Sequence, residues 1–287
     1  MSVLRPIPCG CGAMACRGLL RAGFLLAGIA FHFVSGPAVA GETCAVQPST
    51  PPATAIRVEL VPLQAGLYGR LSFPAAPLSA ASLPAVVLVG DSLGWDPRQE
   101  RYVRRLLAHG LAVLELTGED EASQDAMALR QADAFLACDP RIDPDRIGAL
   151  GFGAGAALVL PVRRPRAMLY PGCASLRQRL PSLAGPALAG QGEGPVMLLH
   201  GTADPANTPE ECAALAALLE ETGPVRRIAY RGAGYAWDMP PYGAPHAMRL
   251  RRPDGAGWLP VAPWPELADF SAEQVAHFFF LALRAGG

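Results

Sequence analysis

The chain has 287 residues, of which 24 are basic and 25 acidic, for a formal net charge of −1, and 51% are hydrophobic. Near-neutrality without a basic tract argues against a nucleic-acid partner, and the length suits one large α/β domain with a sizeable core. Every basic residue is Arg, so neither a lysine Schiff base nor a Ser-Lys mechanism is available.

The N-terminus carries Arg17 and Arg21, an apolar run from Ala22 to Val34, and the small-residue site Ala38-Val39-Ala40 before Gly41. These are the three parts of a secretory signal peptide. The run is short for a membrane span, and Gly41, Glu42 and Thr43 separate the site from Cys44, which argues against a lipid anchor. The expectation is a signal peptide over 1–40, an extended polar arm over 41–54 and one domain over 55–287. The mature protein would be exported, periplasmic or secreted, with no membrane association. Four cysteines then remain: Cys44, Cys138, Cys173 and Cys212. An even count in an oxidising compartment permits two disulfides. Cys173 and Cys212 both lie beyond the C-terminal ends of strands expected to be neighbours, which favours their pairing and leaves Cys44 with Cys138.

Residues 55–71 alternate enough for a hairpin. The apolar run 85–89 reads as a strand buried on both faces. A helix over about 97–108, a strand over 111–116, a helix over about 123–138 and a strand over 146–152 follow. Next come a helix stopped by Pro161, a strand over 167–170, and a Pro/Gly-interrupted segment over 171–194. The strand 196–200 precedes Thr208-Pro209-Glu210-Glu211, which has capping-box spacing with Pro in the first turn of a helix closed by Gly223. A strand over 226–230, a long loop over 232–270 and a helix over 271–284 complete the chain. This alternation predicts a mostly parallel sheet with helices on both faces.

The turn Gly151-Phe152-Gly153-Ala154-Gly155 between a strand and a helix admits three readings. It fits G-x-G-x-x-A of dinucleotide-binding folds, but no acidic residue occurs between Asp145 and Glu193 to meet a ribose. A separate G-x-S-x-G match, Gly90-Asp91-Ser92-Leu93-Gly94, spells the GDSL of another esterase family. The remaining blocks of that family are absent: the single Asn, Asn207, precedes Thr208, and no His has Asp three positions before it. Thirdly, PAVVLVGDSLGWD, RIGALGFGAG, PVMLLHGTADPANTPEEC and RRIAYRGAGYAWD resemble, in order and rough spacing, the blocks of the dienelactone hydrolase family of α/β hydrolases, over about residues 55–284.

That resemblance implies an α/β-hydrolase fold whose elbow holds a Cys or Ser, with an Asp after a later strand and a His after the last. Carried over, the nucleophile position is Gly153, the acid position is Asp204 and the His position is Tyr235. The first has no side chain to attack with, and the third is a phenol with an ordinary pKa near 10. Asp91, Ser92 and Ala154 belong to the oxyanion loops, where an inward Asp91 carboxylate would oppose a developing negative charge. The elbow conformation also disfavours a residue with Cβ, so Gly153 relieves strain. The expectation is a catalytically silent relative that binds a small molecule or a protein partner, with no cofactor and no metal. The alternative is an ester or lactone hydrolase with relocated residues, Ser92 as nucleophile or His246 as base. Asp204 also reads as a turn residue, His200 as a structural histidine, and Arg249-Leu250-Arg251-Arg252 as a solvated loop able to meet an anion.

Overall fold

The computed structural model describes residues 56–64, 66–75, 82–91, 95–118, 126–184, 194–241 and 248–284. The chain divides into two units, Met1–Pro51 and Pro52–Gly287, and every described residue belongs to the second. The expected signal peptide, the arm, Cys44, Ser92 and His246 lie outside the described residues.

The strands are β1 (Arg57–Gln64), β2 (Leu67–Phe73), β3 (Leu83–Val89), β4 (Ala112–Gly118), β5 (Ile142–Phe152), β6 (Arg166–Leu169), β7 (Val196–Gly201), β8 (Val225–Tyr230), β9 (Arg249–Arg251) and β10 (Trp258–Pro260). The helices are α1 (Gln99–Ala108), α2 (Ala126–Cys138), α3 (Ala156–Val159), α4 (Cys173–Ala184), α5 (Pro209–Glu220) and α6 (Pro265–Ala282). Eight strands form one sheet in the order β1-β2-β4-β3-β5-β6-β7-β8. The pairs β1/β2 and β2/β4 are antiparallel and the others parallel.

Successive strand side chains point to opposite faces, and here both faces are apolar. Val86, Leu88 and Val113 pack with Tyr102 and Leu106 of α1 and with Val275 and Phe279 of α6. Val87 and Leu114 pack with Leu129 and Leu136 of α2 and with Leu215 of α5. Burial on both sides explains why the parallel strands read as continuous apolar runs.

Four elements differ from expectation. The segment after Pro171 contains α4, whose start is held from elsewhere: the N–H groups of Gly172 and Cys173 donate to Asn207 Oδ1, at 2.7 and 3.3 Å. The long loop contains the hairpin β9/β10, whose three-residue strands are too short to show a period. Helix α6 begins at Pro265 rather than Ser271, with Pro in its first turn, where the missing N–H costs nothing. Strand β5 also starts four residues early.

Cys173 and Cys212 form a disulfide with Cα atoms 5.0 Å apart, tying the start of α4 to the first turn of α5. Cys138 is exposed at the end of α2, and its expected partner, Cys44, lies outside the described residues. No helix among the described residues is long and apolar enough to cross a membrane.

Candidate functional site

The C-terminal ends of parallel strands gather the loops of an α/β sheet. Asp91 follows β3, Gly153 follows β5, Tyr170 follows β6, Asp204 follows β7, and Tyr235 to Asp238 follow β8.

Gly153 has φ +50°, a left-handed conformation that glycine adopts without the cost a Cβ would bring. Space closes the position further. A Cβ built there overlaps Asp91 Oδ2 and lies 2.8 Å from the Tyr235 hydroxyl. The two groups are bonded to each other, Tyr235 donating to Asp91 Oδ2 at 3.0 Å and sharing its hydrogen with the Arg251 carbonyl at 3.3 Å. The next glycine, Gly155, fits because a Cβ there would meet the Val89 carbonyl oxygen at 2.6 Å. Ala154 is exposed on the turn between them.

Asp91 points inward and is held by Arg98, a fully buried guanidinium that also binds Asp96. Asp96 has a second use, its Oδ1 accepting the Arg98 backbone N–H at 2.9 Å just before α1. Burial opposes the Arg98 charge, but attraction from Asp91, Tyr170 and Asp96 outweighs it and holds the group protonated. The network continues inward. Arg98 Nη1 donates to the Tyr170 hydroxyl at 3.3 Å, Tyr170 donates to Asp238 Oδ1 at 2.9 Å, and Tyr102 donates to Asp238 Oδ2 at 2.8 Å. Trp237 Nε1 donates to Ser271 Oγ at 3.1 Å, which lies 3.0 Å from the Tyr102 hydroxyl. Burial pushes the Asp238 carboxyl up to about 6, against the pull of Arg98 and of the two tyrosine hydrogen bonds. Burial also raises Tyr235, with the Asp91 charge adding to it, so this phenol is a hydrogen-bond donor and not a base.

Asp204 is 2% exposed and works as a turn residue. Its Oδ1 accepts the Ala206 N–H and its Oδ2 the Asn207 side-chain amide, both at 2.9 Å. The Tyr235 hydroxyl donates to Asp91 and the Arg251 carbonyl, so no relay runs from Asp204 through Tyr235. The structure thus brings Gly153, Tyr235 and Asp91 together and assigns Asp204 to the loop that anchors α4. His200 is structural: Arg227 donates to Nε2 at 3.0 Å, so Nδ1 carries the hydrogen toward the Asn207 carbonyl at 3.2 Å. Burial and the Arg227 charge lower its pKa. Hairpin β9/β10 comes close to the loop after β6, since a Cβ on Gly172 would lie 2.8 Å from Pro253 Cβ. Arg252 of the basic run pairs with Asp254.

Arg98, Tyr170, Tyr102, Asp238 and Ser271 carry no mark in the sequence. Asp96-Pro97-Arg98 reads there as a plain helix start, and the tyrosines as core. Only backbone strain marks the region: Tyr170 and Ala236 are the non-glycine residues with positive φ among the described residues, at 39° and 51°.

Beyond Tyr235 lies a cleft of about 480 Å³, lined by Ala203, Pro205, Tyr235, Pro260, Val261 and Trp264 among others, with no charged side chain on its walls. Among the described residues no group of three or more His, Cys, Asp or Glu is placed to hold a metal ion.

No known family profile and no curated protein sequence matches the chain. Solved structures do. An esterase from the archaeon Pyrobaculum calidifontis superposes with a TM-score of 0.57 at 16% identity, over 81% of this chain and 87% of that one. Esterase 2 of the planctomycete Thermogutta terrifontis gives 0.57 at 16%, over 83% and 98%. A dienelactone hydrolase-like promiscuous phosphotriesterase from metagenomic libraries gives 0.58 at 19%, over 79% and 99%. The fold is that of the α/β hydrolases. The likeness to the metagenomic enzyme gives the chain a dienelactone hydrolase-like architecture, at an identity that speaks for fold alone.

The packing makes two outcomes testable. Gly153→Ser must both strain the turn and displace Asp91, and is expected to cost ~2–5 kcal/mol of stability, read as a lower midpoint in urea denaturation. An unchanged midpoint would show that the Asp91 carboxylate does not occupy that space. The second concerns pH. The unfolded Asp238 carboxyl ionises near ~3.9 and the folded one near 6, so in that window the folded state binds more protons and this group's contribution falls as pH rises. Asp238→Asn removes the titration. Relative to wild type it should gain ~2 kcal/mol between pH 4 and pH 7, and a pH-independent difference would refute the assignment.

Proposed function

We propose that this protein is a catalytically silent, dienelactone hydrolase-like chain that binds a small uncharged molecule in the cleft beyond Tyr235. One observation carries the reading: the space a nucleophile side chain would need at Gly153 is filled by Asp91 and the Tyr235 hydroxyl. A hydrolytic triad needs a nucleophile, and a base to take its proton. Here the nucleophile position has no side chain, and the phenol over it is held protonated. An acyl-transfer intermediate would also develop its negative charge beside the Asp91 carboxylate, the opposite of an oxyanion hole. Loss of the nucleophile or base in a measured protease costs about 10⁶ in turnover. The cleft beyond Tyr235 has the size and apolar lining of a ligand pocket, and Trp264, 42% exposed, is on its wall.

Neutral aromatic esters and lactones, phenyl acetate and dihydrocoumarin among them, test both halves. Hydrolysis should not exceed that of heat-denatured protein, and a fluorophosphonate should not label the chain, while the same compounds quench tryptophan fluorescence saturably in wild type and less in Trp264→Ala. Stoichiometric labelling at Ser92 would overturn silence and establish the alternative, an ester hydrolase with relocated residues. Absence of saturable quenching would remove the binding site.

We further propose that the protein is exported with 1–40 removed, so that the mature chain is the arm 41–54 followed by the domain 55–287. The Cys173–Cys212 bridge fits an oxidising compartment, and the N-terminal pattern fits a cleaved signal. Mass spectrometry of the secreted or periplasmic fraction should find Gly41 at the N-terminus; a chain retaining the apolar run 22–34 would contradict it.

A further inference from the structure

Strand β1 presents its side chains in an unusual sense. Cross-strand partners share a face, and the register pairs Val58 with Ser72, Leu60 with Arg70 and Pro62 with Tyr68. On that face Ile56 is 49% exposed, Val58 52%, Leu60 74% and Tyr68 42%. Trp95 extends it, 42% exposed with its ring 4.7 Å from the Arg70 guanidinium. The opposite face of β1 carries Arg57 and Glu59, where Glu59 binds Arg141 at the foot of the α2 side. A strand covered on one face ordinarily turns its charges outward. Val61 and Leu63 on that covered side pack against the core, so β1 is apolar on both faces, and its outer apolar residues face water.

We propose that this outer face of β1 and β2 is an interface between two copies of the chain, related by a two-fold axis. Charge permits it. Arg70 is held by Glu115, with Nε donating to Oε2 at 2.6 Å, and Arg57 and Glu59 lie on the other face, so this face brings no unpaired charge against its own copy. Area supports it. Five roughly half-exposed side chains of ~150–250 Å² each supply ~500 Å² from one copy and ~1,000 Å² from two. The first value is at the top of what a monomer exposes in one patch, and the second is the threshold for a specific interface. Shape is compatible as well, because two flat sheet faces pack ~10 Å apart with interdigitated side chains, and a two-fold axis sets the same patch on itself.

The test is sedimentation equilibrium of the purified protein across ~0.1–100 µM. A dimer is expected, and Leu60→Glu should weaken it at least ~10-fold with circular dichroism and thermal midpoint unchanged, since Leu60 lies mostly in water within one copy. Val58→Lys provides a second, independent disruption. A monomer at every concentration overturns the proposal, whether residues 41–54 or a lipid surface covers the face instead. A dimer that both variants leave intact overturns it too, by placing the contact elsewhere. The ligand-binding reading is independent, because fluorescence quenching at Trp264 does not pass through this face.

Discussion

The buried guanidinium of Arg98 is the constraint around which the loops at the C-terminal ends of the strands are arranged. Three carboxylates, Asp91, Asp96 and Asp238, lie on or near it, and none would be tolerated in so dry a place without it. Removing one partner of such a pair typically costs ~3–5 kcal/mol because the other charge is stranded. Arg98 therefore fixes where Asp91 points, and Asp91 in turn fixes the Tyr235 hydroxyl. Through Tyr170 the same guanidinium reaches Asp238, and from there Tyr102 and Ser271, so the start of α1, the loops after β3, β6 and β8, and α6 share one polar network. A polar cluster satisfied at every member rigidifies its surroundings. This one does so around the turn that holds Gly153.

Much of the architecture was legible because burial on both faces leaves a plain mark. Short continuous apolar runs such as 85–89 and 196–199 are what a strand covered on both sides requires, and the capping box at Thr208 marked the start of α5. The Cys173–Cys212 pairing was accessible for the same reason, since neighbouring parallel strands set the spacing of the residues just beyond their ends. Helix α4 was hidden because its first turn is organised by Asn207, which is 34 residues away. Hairpin β9/β10 was hidden because three residues carry no period.

The site was half legible. Gly153, Tyr235 and Asp91 could be named as neighbours in one site, and the sequence suggested that Asp91 mattered only if it turned inward. Arg98 is what turns it, and nothing in Asp96-Pro97-Arg98 distinguishes a guanidinium destined for the core from one in water. Charge burial is a property of the assembled loops. Asp204 follows the turn-residue reading that the sequence also offered, its oxygens accepting from Ala206 and Asn207.

The filled turn also shapes which sequences lie within reach of this one. Installing Ser or Cys at Gly153 alone meets Asp91; shortening Asp91 alone takes one of two carboxylates from the buried Arg98 and leaves the Tyr235 hydroxyl only the Arg251 carbonyl; changing Tyr235 alone leaves Gly153 with nothing to activate. Each single step loses packing or charge balance before any reaction is gained. Mutational paths toward a nucleophile here therefore run downhill in stability first, and drift among neighbouring sequences is expected to keep the turn closed.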